Sequence, residues 1–226
     1  MSRKTRQEVK SILEGGDLLH LLSFIETLPP RKVIQPLIQA FYKTDSLERW
    51  HAVTAFGKAV NRVACKEMED ARIIMRRLMW SLNDESGGIG WGAPEAMAEA
   101  MANNAVLAEE YCRILLSYVW EEGNYLEYLP LRRGALWGLM RLAQSRPEIF
   151  NEIDSARLIK DYLSDTDAES RALAALALGF AGRKEFCHEM ADMLSDRRRF
   201  RLYLDQEMRK TSVAEVAALA MEQLKC

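Results

Sequence analysis

The sequence predicts an all-α fold: a right-handed α-α superhelix of about five to six antiparallel helix pairs sharing one core. Three observations lead there. Apolar residues recur at helical spacing along nearly the whole chain. A phrase returns as Arg49-x-x-Ala52-x-x-Ala55-Phe56-Gly57, Arg132-x-x-Ala135-x-x-Gly138-Leu139 and Arg171-x-x-Ala174-x-x-Ala177-Leu178-Gly179. The last two copies stand 39 residues apart, and a degenerate copy around Ala96 roughly halves the longer gap before them. A period of about 40 residues suits one helix pair per unit, stacked on its neighbours.

The elements follow in order. Val9, Ile12 and Leu13 mark a short first helix stopped at Gly15-Gly16, and Leu18 to Leu28 a second ended by Pro29-Pro30. Val33 to Lys43 and Leu47 to Val63 form the next pair, with N-cap oxygens available across Thr44, Asp45 and Ser46. Glu67 to Leu82 pairs with Pro94 to Asn103, where proline sits in the first turn that tolerates it. Val106 to Trp120 pairs with Leu131 to Gln144, and Pro147 to Ser164 with Ala168 to Ala181. The last unit differs. Glu185 to Leu194 is helical, but residues 199–211 alternate like a short β-hairpin or extended loop, and Ser212 with Glu215 offers a capping box for a closing helix. Ala52, Ala55, Ala96, Ala135, Gly138, Ala174 and Ala177 give the second helix of each pair a small-residue face on which a neighbour approaches closely.

Composition is that of a globular protein, with 49% hydrophobic and 28% charged residues, and with only 6 prolines and 12 glycines to interrupt it. One domain over 1–226 is therefore expected. The net charge of −2 argues against affinity drawn mainly from phosphate neutralisation. Four dispersed cysteines, without a C-x-x-C pair, suggest neither a disulfide framework nor a zinc cluster and fit a reducing compartment. The basic amino terminus lacks a following apolar run, and Ala172 to Ala181 is too short to span a bilayer, so a cytoplasmic setting is expected.

The whole chain resembles HEAT-like (armadillo-type) repeat proteins. Three stretches are similar to small bacterial HEAT-repeat proteins with no assigned activity: Leu82 to Ala96, Gly123 to Glu127, and Leu131 to Trp137. The resemblance implies a structural ladder between neighbouring repeats, formed by an aspartate in the turn between helices and an arginine early in the second helix. Asp45 with Arg49 and Asp167 with Arg171 fit that pattern.

Two oversized turns are the candidate site. Residues 83–95 place Asp84, Glu85, Trp91 and Glu95 among four glycines before a helix start, where free amides favour anions. The turn from Glu121 to Tyr128 occupies the same place in the next repeat, so stacking sets the two turns side by side. Trp91 and Tyr125 are aromatic anchors in this reading, Asp84, Glu85 and Glu121 meet basic groups, and Arg132 and Arg133 meet acidic ones. The alternative is structural, with carboxylates capping helices and tryptophans fastening the turns to the core.

Other constellations are weaker. The string Gly88-x-Gly90-x-x-Ala93 follows a helix rather than a strand, which argues against a dinucleotide fingerprint. His20, His51 and His188 do not form a metal set, and no nucleophile arrangement is present, so no metal, cofactor or catalytic residue is assigned. Basic runs at Arg72/Arg76/Arg77, Arg132-Arg133 and 197–201 read first as solvated faces. A family of alkylbase DNA glycosylases also uses HEAT-like repeats, with tryptophans and an aspartate beside a basic groove, but the charge balance here opposes that. The leading expectation is a non-catalytic scaffold that binds a protein or peptide, with no membrane partner. A nucleic-acid binder or enzyme is the alternative.

Overall fold

The chain condenses around close contacts between second helices of successive pairs, and the sequence supplies the small residues that permit them. A computed structural model describes residues 3–43, 46–83 and 90–226. It divides into two compact units, Met1–Leu107 and Ala108–Cys226.

In the first unit the helices are α1 (Arg3–Glu14), α2 (Leu18–Glu26), α3 (Pro30–Ala40), α4 (Leu47–Ala64), α5 (Met68–Leu82) and α6 (Ala93–Asn103). Asp17 caps α2 by accepting from the His20 amide at 2.9 Å, and Ser46 caps α4 by accepting from the Arg49 amide at 3.2 Å. Arg62 closes the other end of α2, donating to the carbonyls of Ile25 (2.7 Å), Glu26 (3.0 Å) and Leu28 (3.0 Å). Helix α4 is buried on nearly every face, packing against both α3 and α6. Phe56 on α4 and Phe41 meet edge to face at 5.5 Å between centroids. Gly57 explains the closeness of α4 to α6. A Cβ there would stand 2.6 Å from the Glu99 carbonyl oxygen.

The second unit holds α7 (Ala105–Ser117), begun just ahead of it, then α8 (Leu129–Ser145), α9 (Pro147–Glu152), α10 (Ser155–Ile159), α11 (Ala168–Phe180), α12 (Cys187–Asp192), strands β1 (Arg199–Leu204) and β2 (Glu207–Ser212), and α13 (Val213–Leu224). Helix α11 packs on α8 on one side and α13 on the other. At its end Gly179 repeats the role of Gly57, because a Cβ there would lie 2.9 Å from the Ala220 Cα. The hairpin pairs Arg199 with Ser212 through Leu204 with Glu207, and Trp137 pins it by donating its indole N–H to the Tyr203 carbonyl at 2.7 Å. Ser212 and Glu215 form the capping box, with both reciprocal bonds in place.

Two expectations are corrected. The helix read across 147–164 is broken into α9, α10 and a 3-10 turn (Lys160–Ser164), because Asp154 adopts a left-handed φ of 56° that no α-helix continues through. The cysteines are not all unpaired: Cys187 and Cys226 form a disulfide, tying the start of α12 to the residue beyond α13 across a separation of 39 residues. That bond withdraws the support cysteine usage lent to a reducing compartment. Asp45 of the expected ladder lies outside the described residues, and Asp167 takes part in it through Arg133 of the preceding repeat rather than through Arg171.

The arginines reach forward, each to the repeat or element that follows. Arg49 pairs with Glu95 on α6, Arg133 with Asp167 and Glu169, and Arg171 with Asp196 at 2.9 Å. Asp167 is the N-cap of α11, accepting from the Ser170 amide and hydroxyl at 2.9 and 2.8 Å. The same carboxylate also accepts from Arg133 on α8. Each clamp therefore joins the second helix of one pair to an acid at the start of the next element. Burial pushes the Asp167 carboxyl up, but Arg133 and Ser170 outweigh it and hold the group below its ordinary range. Hydrogen bonds from Arg198, aided by Arg171, lower Asp196 to about 2.

Two predictions follow from these contacts. Gly57→Ala and Gly179→Ala each force two helix backbones apart, and each variant should lose about 1–3 kcal/mol in denaturant unfolding. Asp196 is more acidic folded than its unfolded value of about 3.9, so its stabilisation is present above pH ~4 and lost as pH falls toward ~2. Melting temperature should be level near neutrality and fall across that acid window, and Asp196→Asn should lower the plateau and flatten the fall.

Candidate functional site

The enlarged turn after α7 is ordered from within. Residues 118–128 fold back so that the Leu126 amide donates to the Tyr118 carbonyl at 3.0 Å and the Gly123 amide to the Trp120 carbonyl at 2.9 Å. A Cβ on Gly123 would come within 2.8 Å of the Ser117 carbonyl oxygen, so the turn lies flat on the end of α7. Asn124 adds a bond from Nδ2 to the Ser117 hydroxyl at 3.0 Å, and Leu126 plugs the turn into the interior.

Arg132 completes this frame from α8. Its Nη1 donates to the Leu126 and Glu127 carbonyls at 2.9 and 3.1 Å, and its guanidinium stands 4.9 Å from the Tyr125 ring centroid. One face of Tyr125 is thereby fixed. The opposite wall comes from the segment after α10, where the Tyr162 hydroxyl donates to the Val119 carbonyl at 2.8 Å. Burial raises the Tyr162 phenol well above its ordinary range and pushes Tyr118 up to about 12, so both stay neutral at physiological pH.

Between these walls lies a cavity of about 390 Å³. Val119 and Leu158 line it with three aromatic residues, Trp120, Tyr125 and Tyr162, and four acids, Glu121, Glu122, Asp161 and Asp165. Glu121, Glu122 and Asp161 are exposed, and Trp120 keeps 37% of its surface open. Asp165 spends one oxygen on the Asp167 amide at 2.7 Å. Among the described residues, no lysine or arginine lines this cavity. Neutral aromatic rings with several carboxylates attract a cation, through both charge and the ring quadrupole.

Of the residues singled out from sequence, the structure brings Glu121 and Tyr125 together in this cavity, with Arg132 bracing it from behind. Arg133 turns away to Asp167 and Glu169. Glu95 is 2% exposed and faces Arg49 inside the first unit. Trp91 is half-buried beside Gly92, whose φ of 73° begins α6. Asp84 and Glu85 lie outside the described residues. The histidines remain apart from the cavity: His20 and His188 are exposed, while His51 is buried in α4, with its pKa lowered by that burial. Among the described residues, no group of three or more His, Cys, Asp or Glu side chains is placed to hold a metal ion.

Sequence reasoning missed Leu158, Asp161, Tyr162 and Asp165. Their signal was the run Asp161-Tyr162-Leu163-Ser164-Asp165, which places two acids one turn apart around a tyrosine. Reading 147–164 as one helix hid it.

No family model matches the chain. A protein of Archaeoglobus fulgidus, described as an uncharacterized protein, is 28% identical over 203 residues, covering 85% of this chain and 95% of its own. Among solved structures, an engineered protein superimposes with a TM-score of 0.56 at 16% identity, covering 99% of this chain and 97% of its own. A designed armadillo repeat protein in complex with the peptide (KR)4 superimposes with a TM-score of 0.53 at 17% identity, covering 99% of this chain and 100% of its own. No helix among the described residues is long and apolar enough to cross a membrane. The chain therefore has the fold of armadillo-type repeat proteins.

Proposed function

We propose that the protein is a non-catalytic scaffold for an extended peptide rich in lysine or arginine, and that one basic side chain enters the cavity beside α7. The observation that carries this reading is the pairing of four carboxylates with three aromatic rings around about 390 Å³, with no cation among the described lining residues. Trp120 and Tyr125 act as anchors, because aromatic side chains supply large contact area at low entropic cost. Glu121, Glu122 and Asp161 provide the charge, and Arg132 keeps the turn in shape. The armadillo-type fold lends support, since one neighbour of that fold holds a peptide of alternating lysine and arginine. Asp84, Glu85 and Trp91 stay in the proposal as a second acidic and aromatic turn.

An acidic cavity disfavours phosphate, so the nucleic-acid alternative draws no support from this site.

A fluorescein-labelled (Lys-Arg)4 peptide, followed by anisotropy at low salt, tests the reading. Saturable binding that weakens steeply with added salt is expected. Trp120→Ala should weaken it about tenfold, and Glu121→Gln/Glu122→Gln/Asp161→Asn by more, the latter with melting temperature nearly unchanged because those three side chains are exposed. No binding at low salt, or equal binding by the neutralised variant, would sink the proposal.

A further inference from the structure

A second cavity, of opposite character, opens in the first unit between α1, α3 and the start of α4, and encloses about 470 Å³. Its floor is apolar, with Val9 and Leu13 from α1 and Pro36 and Ala40 from α3. Its mouth is cationic. Arg6 and Lys10 stand one turn apart on α1, so both project over the same side. Lys43 also lines the cavity, paired with Glu48 at 3.7 Å, so that side of the rim carries both signs of charge. Lys10 meets Glu14 at 3.5 Å in an exposed pair that solvent weakens. Gln7 and Gln39 add hydrogen-bond donors near the opening.

Pro36 is the second observation. It lies inside α3, where proline removes a ladder hydrogen bond and is disfavoured. At this position the ring adds its methylenes to the apolar lining of the cavity. A neutral guest makes no use of Arg6 and Lys10, and a polyanion makes no use of the floor.

From this geometry we propose that the cavity binds a free aliphatic monocarboxylate, its chain on Val9, Leu13, Pro36 and Ala40 and its carboxylate between Arg6 and Lys10. The volume falls within the usual range of small-molecule pockets, about 300–1,000 Å³. The inference stands apart from the basic-peptide site, which lies in the other unit.

Calorimetric titration of the full chain with sodium octanoate tests it, with 1-octanol as the uncharged control. Saturable octanoate binding is expected, with octanol much weaker. Arg6→Glu/Lys10→Glu should weaken octanoate roughly tenfold, the worth of two exposed charge contacts. Ala40→Phe should fill the slot and abolish binding while leaving both charges in place. A peptide ending in Leu-Leu with a free carboxyl forms the last arm. The inference is overturned if octanoate does not saturate, if octanol binds equally well, if the charge-reversed variant binds as wild type, or if the peptide binds where octanoate does not. The comparison of octanoate with octanol on the wild-type chain decides the matter even where a variant fails to fold.

Discussion

Backbone-to-backbone approach between the second helices of successive pairs is the constraint on which the rest depends. In the first unit α4 meets α6 at Gly57, and in the second α11 meets α13 at Gly179. The alanines a turn or two before each glycine, Ala52, Ala55, Ala174 and Ala177, are fully or almost fully buried. With helices this near, dispersion contacts are dense and any added methyl group must displace main chain rather than a side-chain tip. The larger residues beside them, Phe56 and Leu178, then fill what the small ones leave.

Charge fixes the register that packing alone leaves loose. Apolar faces slide, whereas an arginine pairing with an acid at a helix start is directional. Arg49 to Glu95, Arg133 to Asp167 and Arg171 to Asp196 each cross from one pair to the following element. Asp167 serves two structures with one carboxylate, capping its own helix while receiving the arginine behind it. The partly buried setting makes each pair costly to break singly, because the surviving partner is left without its countercharge.

The cavity beside α7 grows out of the same scheme. A helix pair needs only a short connection, so the additional residues at 118–128 are free to shape a surface. Arg132, adjacent to the clamp residue Arg133, is diverted to hold that surface by its carbonyls and by Tyr125. Neighbouring arginines on one helix thus divide the work, one clamping the repeat and the other supporting the turn. Tyr162 closes the far side through Val119, so two segments more than 30 residues apart in the chain build one wall each.

Much of the architecture is written locally. Apolar spacing, the small-residue phrase, the prolines at helix starts and the Ser212–Glu215 box act within a few residues, and a reader of the chain alone recovers the helix pairs, the hairpin and the closing helix from them. Half of the cavity was legible too, since Glu121 and Tyr125 announce an acidic, aromatic turn. What the chain alone left open is which partner each group meets. Arg171 had Asp167 four residues away yet reaches Asp196, Cys187 finds Cys226, and the wall at 158–165 emerges only because Asp154 bends the chain out of helix. Such choices are made between residues remote in sequence, by packed helices that set which side chains come within reach, and local pattern carries no record of that distance.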